Sequence, residues 1–261
     1  MDYTISNFND IILAGSFMIS VAISGAHGRM GMIAQEAIAQ MQECNCELLI
    51  GSDDDIISAL TAVKPNILID LTAPDVVFKH CKLAIENGIM PIIGTSGLKA
   101  ADIDELKALA SQHGVAGIIA PNFCISAILM MQFSKIAAQY FGTASIIEEH
   151  HPNKKDAPSG TAISTAELIS GNKRKDNTHC SQESLSGALG AQHLGVDIHS
   201  IRRPGVIAKQ RVIFADEHEK LTIEQESVTR RSFIAGIQLA CRAVINIDYL
   251  AYGLEEFIFV N

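Results

Sequence analysis

Positive charge is in short supply in this chain of 261 residues, which carries 20 Lys and Arg against 29 Asp and Glu for a formal net charge of -9. Nucleic acid rewards a concentrated basic excess, so a nucleic-acid partner is excluded on electrostatic grounds, and any anionic ligand must be met by a local set of donors. Paired C-x-x-C spacings are also missing. Cys44, Cys46, Cys81, Cys124, Cys180 and Cys241 are scattered, which removes the common zinc frameworks, and with no sign of secretion they read as free thiols of a cytoplasmic protein. There is no low-complexity tract and no internal repeat, and with 48% hydrophobic and 19% charged residues the composition is that of a folded protein. A membrane span is lacking too. The apolar run in "IILAGSFMISVAISGA" is short for one, and Met1 to Asp10 holds two aspartates and no Lys or Arg, the reverse of a signal peptide's basic start. Residues 1–17 are therefore expected to be a disordered extension, or to precede a true translation start at Met18.

What is present from residue 19 onward is an alternation of short apolar runs with helical periodicities, as in successive βα units around a parallel sheet. Strands are expected at Ile19–Ser24, Glu47–Gly51, Ile67–Leu71, Met90–Gly94 and Val115–Ala120, with helices at Arg29–Gln42, Pro74–Asn87 and Lys99–His113. Pro74 at a helix start, and Gly88 and Gly114 just past helix ends, fit capping preferences. After "APNFC" the rhythm changes. A long apolar helix over Ile125–Phe141 leads to a strand at Ala144–Glu149, then a helix from Ser159 to Gly171 and a polar, mobile loop at 171–187. "VDIHSIRR", "VIAKQRVIFA" and "KLTIEQES" alternate as strands of a mixed, largely antiparallel sheet. A last helix, Ser232–Ile247, is apolar enough to pack back on the first domain. The expected fold is α/β: a Rossmann-like, doubly wound parallel sheet over 1–121, a second α+β domain over 122–231, and a C-terminal segment, 232–261, returning to the first.

Gly25, Gly28 and Gly31 sit where a strand gives way to a helix, the place at which glycine lets backbone N–H groups approach a pyrophosphate. The G-x-G-x-x-G spacing is not met, because His27 stands at the second glycine position, so a turn needing glycine only for packing is the alternative. About twenty residues on, "GSDDD" supplies the carboxylate that holds the ribose hydroxyls of NAD and repels the 2′-phosphate of NADP. Asp53 is the first choice and Asp54 the second, while capping of the next helix is an equal role for Asp55. Arg29 is placed to reach an adenosine phosphate. "DLTAPD" and "GTSG" close two further strands at the same sheet edge, where ligands of open α/β sheets lie.

The stretch "EEHHPNKKDAPSGTA", residues 148–162, gathers a titratable group (His150), further cations (His151, Lys154, Lys155) and donors at a helix start (Ser159, Gly160, Thr161). That set suits a small carboxylate-bearing substrate to which a proton must be moved. Adjacent histidines on a strand point to opposite faces and no third ligand is evident, so no metal is expected.

With "VAISGAHGRMG", "GTSG" and "APNF" in order before it, the complete H-H-x-x-K-x-D-A-P-S-G-T-A pattern resembles the 4-hydroxy-tetrahydrodipicolinate (dihydrodipicolinate) reductase family, from about Ile19 to the C-terminus. The resemblance implies hydride transfer from NADH or NADPH to a cyclic imine dicarboxylate, giving tetrahydrodipicolinate with loss of water, in diaminopimelate and lysine biosynthesis. By motif position it implies His150 and Lys154 as the acid-base pair, with His151, Ser159, Gly160 and Thr161 on the substrate. It implies a cofactor site of Gly25, Ala26, His27, Gly28, Arg29, Met30, Gly31, Asp53, Gly94, Thr95, Ser96, Ala120, Pro121, Asn122 and Phe123, and a homotetramer joined through the second domain. Departures are Asp54 and Asp55 where a basic residue often follows the strand-end acid, which favours NADH over NADPH. Others are Ser96 for threonine, Cys124 for serine, "IAKQ" for V-G-E-H, and a late arginine that spacing leaves between Arg230 and Arg231. A dehydrogenase of another small amino or keto acid, and a protein that senses NADH without turnover, are the competing readings; the second has no use for an acid-base pair.

Overall fold

The computed structural model describes residues 18–172 and 182–259. The expected extension at 1–17, and residues 173–181 of the expected mobile loop, lie outside the described residues. The chain divides into two compact units, one running to Cys124 and resuming at Phe233, the other spanning Ile125–Ser232.

The first unit opens with β1 (Ile19–Ser24), α1 (Arg29–Ala39), β2 (Cys44–Ile50), α2 (Ile56–Val63), β3 (Ile67–Asp70), α3 (Val77–Glu86), β4 (Met90–Ile93), α4 (Ala100–His113) and β5 (Gly117–Ile119). The strands are short and nearly all apolar because both faces of a parallel sheet are covered by helices; Ile67, Leu68, Ile69 and Ile92 are fully buried. Several boundaries differ from expectation, three of them for reasons the structure shows. Helix α1 stops at Ala39, short of Gln42, because Gln40 and Met41 donate to Ala37 and Ile38 and tighten the last turn. Helix α3 begins at Val77 because Pro74 lies in a preceding turn, closed by Val76 and Val77 N–H on the Ala73 carbonyl. Strand β2 starts at Cys44, where its parallel register with Ile19 begins. Helix α2 follows the acidic run: Asp55 caps it by accepting from Ile57 N–H at 3.2 Å.

The second unit contains α5 (Ile125–Ala137), β6 (Thr143–His150), α6 (Gly160–Ser170), β7 (Ala191–His193), β8 (Val196–Arg202), β9 (Ala208–Ala215) and β10 (Lys220–Ser227). Helix α5 ends four residues before Phe141, where Tyr140 and Phe141 both donate to the Ala137 carbonyl. The sheet order is β10-β9-β6-β8-β7, with β6 and β8 parallel and the other pairs antiparallel. Its core is Ile146, Val212, Phe214 and Ile198 against Ala166 and Ile169 of α6, and the Phe141 and Phe214 rings meet at 5.8 Å. Alternation leaves on the other face a mixture of Ile147, Ile201 and Ile213 with charged residues, laced by Lys209–Glu224 at 2.8 Å and by Arg211–Glu224 and Arg203–Glu149 at 2.6 Å. At the described end of the expected loop, the Glu183 carboxylate accepts from the N–H groups of Gly187 and Leu189.

A 3-10 turn, Arg230–Phe233, leads into α7 (Ile234–Val244), β11 (Leu250–Tyr252) and α8 (Glu255–Ile258), all but the first residues of that turn in the first unit. Strand β11 adds to β5 in parallel and completes a six-stranded sheet of order β11-β5-β4-β3-β1-β2. Three residues are too few to show a periodicity, which is why pattern alone passes over this strand. Helix α7 lies on α1, where Gln238 donates to the Ala37 carbonyl at 3.1 Å and Arg242 pairs with Glu43 at 2.7 Å. Gly236 is required there, since a Cβ would overlap the Phe123 carbonyl.

Candidate active site

In the first unit the strand order reverses at β1, with β2 on one side and β3 on the other. Registers pairing Ser24 with Asp70 and Asp70 with Ile93 bring β1, β3 and β4 to an end at one level. Such a switch point is where ligands of open α/β sheets bind. A cavity of about 490 Å³ lies there, lined by Gly25, His27, Gly28, Gly51, Asp54 and His80 among others. Gly25 has φ +76 and a Cβ on it would overlap the Leu71 carbonyl, while a Cβ on Gly31 would overlap the carbonyls of Gly25 and Ala26. No side chain caps the first turn of α1, which starts after Gly28 in an extended conformation. Its N–H groups and dipole therefore remain for an anion. Ala26 is buried and its carbonyl is held by Gln35 Nε2 at 2.8 Å, which fixes the turn. Arg29 and Met30 form the first turn of α1, with Arg29 exposed.

Two acids line the cavity, Asp75 and Asp54, and Asp54 Oδ2 accepts the Gly51 N–H at 2.7 Å. Asp53 is exposed beside it, accepting from Ser52 Oγ at 3.2 Å, and is absent from the cavity wall. Gly94, Thr95, Ser96, Ala120, Pro121, Asn122 and Phe123 follow the ends of β4 and β5 on the same edge, outside that wall. A Cβ on Gly94 would fall 2.5 Å from the buried Phe123 ring. Asn122 Oδ1 accepts the Cys124 N–H at 2.8 Å. Pattern reading missed Asp70. It is fully buried and accepts from Thr72 Oγ1 at 2.6 Å, Thr95 Oγ1 at 2.7 Å and His80 Nδ1 at 2.9 Å, tying two loops to a ring that lines the cavity. The signal was an acid closing an otherwise apolar strand. An uncapped helix start, two glycines that backbone contacts demand and a carboxylate at the rim together fit a dinucleotide.

In the second unit the motif runs from the end of β6 into α6. Strand alternation puts Glu148 and His150 on one face of β6, with His150 Nδ1 2.5 Å from Glu148 Oε2. Arg202 closes on the same carboxylate with two bonds of 2.9 Å. Burial alone raises the pKa of Glu148, but hydrogen bonds from His150 and Arg202 outweigh it and hold the carboxyl at about 2. Lys154 Nζ donates to Asp156 at 2.9 Å, and that bond is the main cause lowering the pKa of Asp156. His151 is half-buried and Lys155 exposed. Ser159 is the N-cap of α6, its Oγ accepting the Ala162 N–H at 3.1 Å. Gly160 is exposed, and a Cβ there would meet nothing within 4 Å, so protein packing does not require the glycine. Thr161 follows, half-buried. Helix start, imidazole and ammonium together can hold a carboxylate and move a proton. Sequence reasoning did not single out Glu148 or Arg202, although the acid two residues before His150 on a strand was a usable sign. Of the late arginines, Arg230 is half-buried and Arg231 exposed. Among the described residues, no group of three or more His, Cys, Asp or Glu is arranged to hold a metal ion, and no helix is long and apolar enough to cross a membrane.

The chain matches the N-terminal region of dihydrodipicolinate reductase over residues 19–123 and its C-terminal region over residues 126–258. The 4-hydroxy-tetrahydrodipicolinate reductase of Bacillus subtilis (strain 168) is 42% identical over 264 residues, covering 92% of this chain and 98% of that protein. A dipicolinate-bound dihydrodipicolinate reductase from Paenisporosarcina sp. TG-14 superposes with a TM-score of 0.83 at 35% identity, over 92% of this chain and 99% of that one. GenD2 from gentamicin A biosynthesis, in complex with NAD, is 13% identical with a TM-score of 0.62 over 89% of this chain and 86% of its own, and shares the fold alone. Both halves of the sequence and the two-unit fold agree, and the chain belongs to the dihydrodipicolinate reductase family.

Proposed function

We propose that this chain reduces 4-hydroxy-tetrahydrodipicolinate to tetrahydrodipicolinate with loss of water, a step of diaminopimelate and lysine biosynthesis in the cytoplasm. The observation that carries the reading is the intact 148–162 segment, in which a buried carboxylate holds His150 and an exposed, glycine-opened helix start follows ten residues later. The N–H groups of Gly160 and Thr161, with His151, bind a substrate carboxylate, and Ser159 keeps that helix start in place. A nicotinamide cofactor in the first unit supplies the hydride. As hydride arrives, the enamine carbon or imine nitrogen of the substrate gains basicity, and His150 with the Lys154 ammonium delivers the proton. The ammonium has three donors and Asp156 takes one of them, which leaves the rest for substrate.

In the first unit, the turn at Gly25–Gly31 and the start of α1 bind the pyrophosphate, and the ends of β4 and β5 from Gly94 to Ser96 and from Ala120 to Phe123 support the rest of the cofactor. Asp53 and Asp54 favour NADH, because two carboxylates with no basic residue beside them in "GSDDD" repel a 2′-phosphate. The outer sheet face of the second unit, where Ile147, Ile201 and Ile213 lie among charged residues, joins four copies into a homotetramer. Turnover of freshly generated 4-hydroxy-tetrahydrodipicolinate with NADH and with NADPH, in separate assays, tests the reading: fast oxidation of NADH and slow oxidation of NADPH support it. Equal rates keep the reaction and overturn the cofactor argument, and no oxidation with either overturns the reaction.

A further inference from the structure

We propose that Glu148, held by Arg202, is a positioning residue for this reaction: it fixes His150 with Nδ1–H turned inward, so that Nε2 is the atom that exchanges the proton. The inference rests on the reading of His150 as the acid-base group. Its first support is placement. Glu148 is fully buried, and an ionised carboxylate out of water is strongly disfavoured unless it is paired and hydrogen-bonded. Here both oxygens are satisfied. Oε2 takes His150 Nδ1 at 2.5 Å and Arg202 Nη1 at 2.9 Å. Oε1 takes Arg202 Nη2 at 2.9 Å and the Ser159 N–H at 3.3 Å.

The second support is chemical. An ionised carboxylate can only accept and a guanidinium can only donate, so the histidine nitrogen that shares Oε2 with Arg202 must carry a hydrogen. In the neutral ring that leaves Nε2 unprotonated. Register supplies the clamp, since His150 lies opposite Arg202 in the parallel β6–β8 pair. Arg202 also donates to the Asp156 carbonyl at 2.7 Å. One carboxylate thus fixes the proton-moving ring.

The test combines ¹⁵N NMR of histidine tautomers with a double-mutant cycle. In the wild-type protein the His150 signals should show a protonated Nδ1 and, in the neutral form, a bare Nε2; a protonated Nε2 beside a bare Nδ1 overturns the proposal whether or not any variant folds. In Glu148→Gln the amide N–H must face Arg202 together with either His150 or the Ser159 N–H, so the tautomers should mix and kcat fall by about a hundredfold, with the KM for NADH unchanged. Because the effect passes through His150, adding Glu148→Gln to His150→Gln should change kcat by less than about twofold. A full additional loss in that background, or wild-type kcat in folded Glu148→Gln, contradicts positioning. Wild-type turnover by His150→Gln alone overturns instead the catalytic reading on which the proposal stands.

Discussion

Acid should weaken the second unit through one carboxylate. Glu148 has no exposed side-chain surface, and its carboxyl is held at about 2 against an ordinary 4.5. The folded value lies below the unfolded one, so the native state binds fewer protons there; the stabilisation is present in full above about pH 4.5 and is lost as pH falls toward 2. The gap between 4.5 and about 2 corresponds to about 3 kcal/mol. By the same linkage about 3 kcal/mol remains at about pH 5 and about 1 kcal/mol at about pH 3. Glutamine at this position has no proton to take up. The difference in urea unfolding free energy between the wild type and Glu148→Gln should therefore shrink by about 2 kcal/mol between about pH 5 and about pH 3. Chemical denaturation followed by circular dichroism at several pH values measures it. A difference that stays constant across the interval would refute the claim that this carboxylate is ionised and held by its partners.

His150→Gln and Lys154→Ala should each lower kcat by about 10² to 10⁴ while calorimetry finds NADH affinity within about twofold of wild type, because neither residue belongs to the unit that carries the glycine turn; a parallel loss of NADH affinity contradicts that division. Gly31→Ala, whose methyl group would overlap the carbonyls of Gly25 and Ala26, should cost about 2 kcal/mol of stability and weaken NADH binding, both read by thermal melts with and without cofactor. Gly160→Ala meets no protein atom within 4 Å and should change stability by no more than about 0.5 kcal/mol, yet raise the KM for the dicarboxylate. Asp54→Asn should raise the NADPH-to-NADH ratio of kcat/KM by about fivefold, and an unchanged ratio removes Asp54 from the cofactor argument.

The inner strands of the parallel sheet were legible as short apolar runs between helical periods, and β1 and β10 lie at the positions that the pattern marks. Short elements were not legible. β7 and β11 hold three residues each, and their pairing is decided by neighbours distant in sequence. The residue types of the motif pointed to proton transfer beside an anion, and the family pattern added the roles. What the pattern could not carry was the third dimension. Arg202 is 54 positions from Glu148, and only the parallel β6–β8 register brings them together. Asp54, the second choice from sequence, reaches the cavity wall while Asp53 does not. The reason is that the Gly51 N–H turns the Asp54 carboxylate inward, a contact that spacing alone does not contain.

The most direct test of the account is single turnover of 4-hydroxy-tetrahydrodipicolinate with NADH deuterated at its transferring carbon, the product being weighed by mass spectrometry. The wild-type chain should give tetrahydrodipicolinate carrying one deuterium, and His150→Gln should form almost none in the same time. Folded protein that binds NADH but forms no deuterated product, or product formed equally fast without His150, would contradict it.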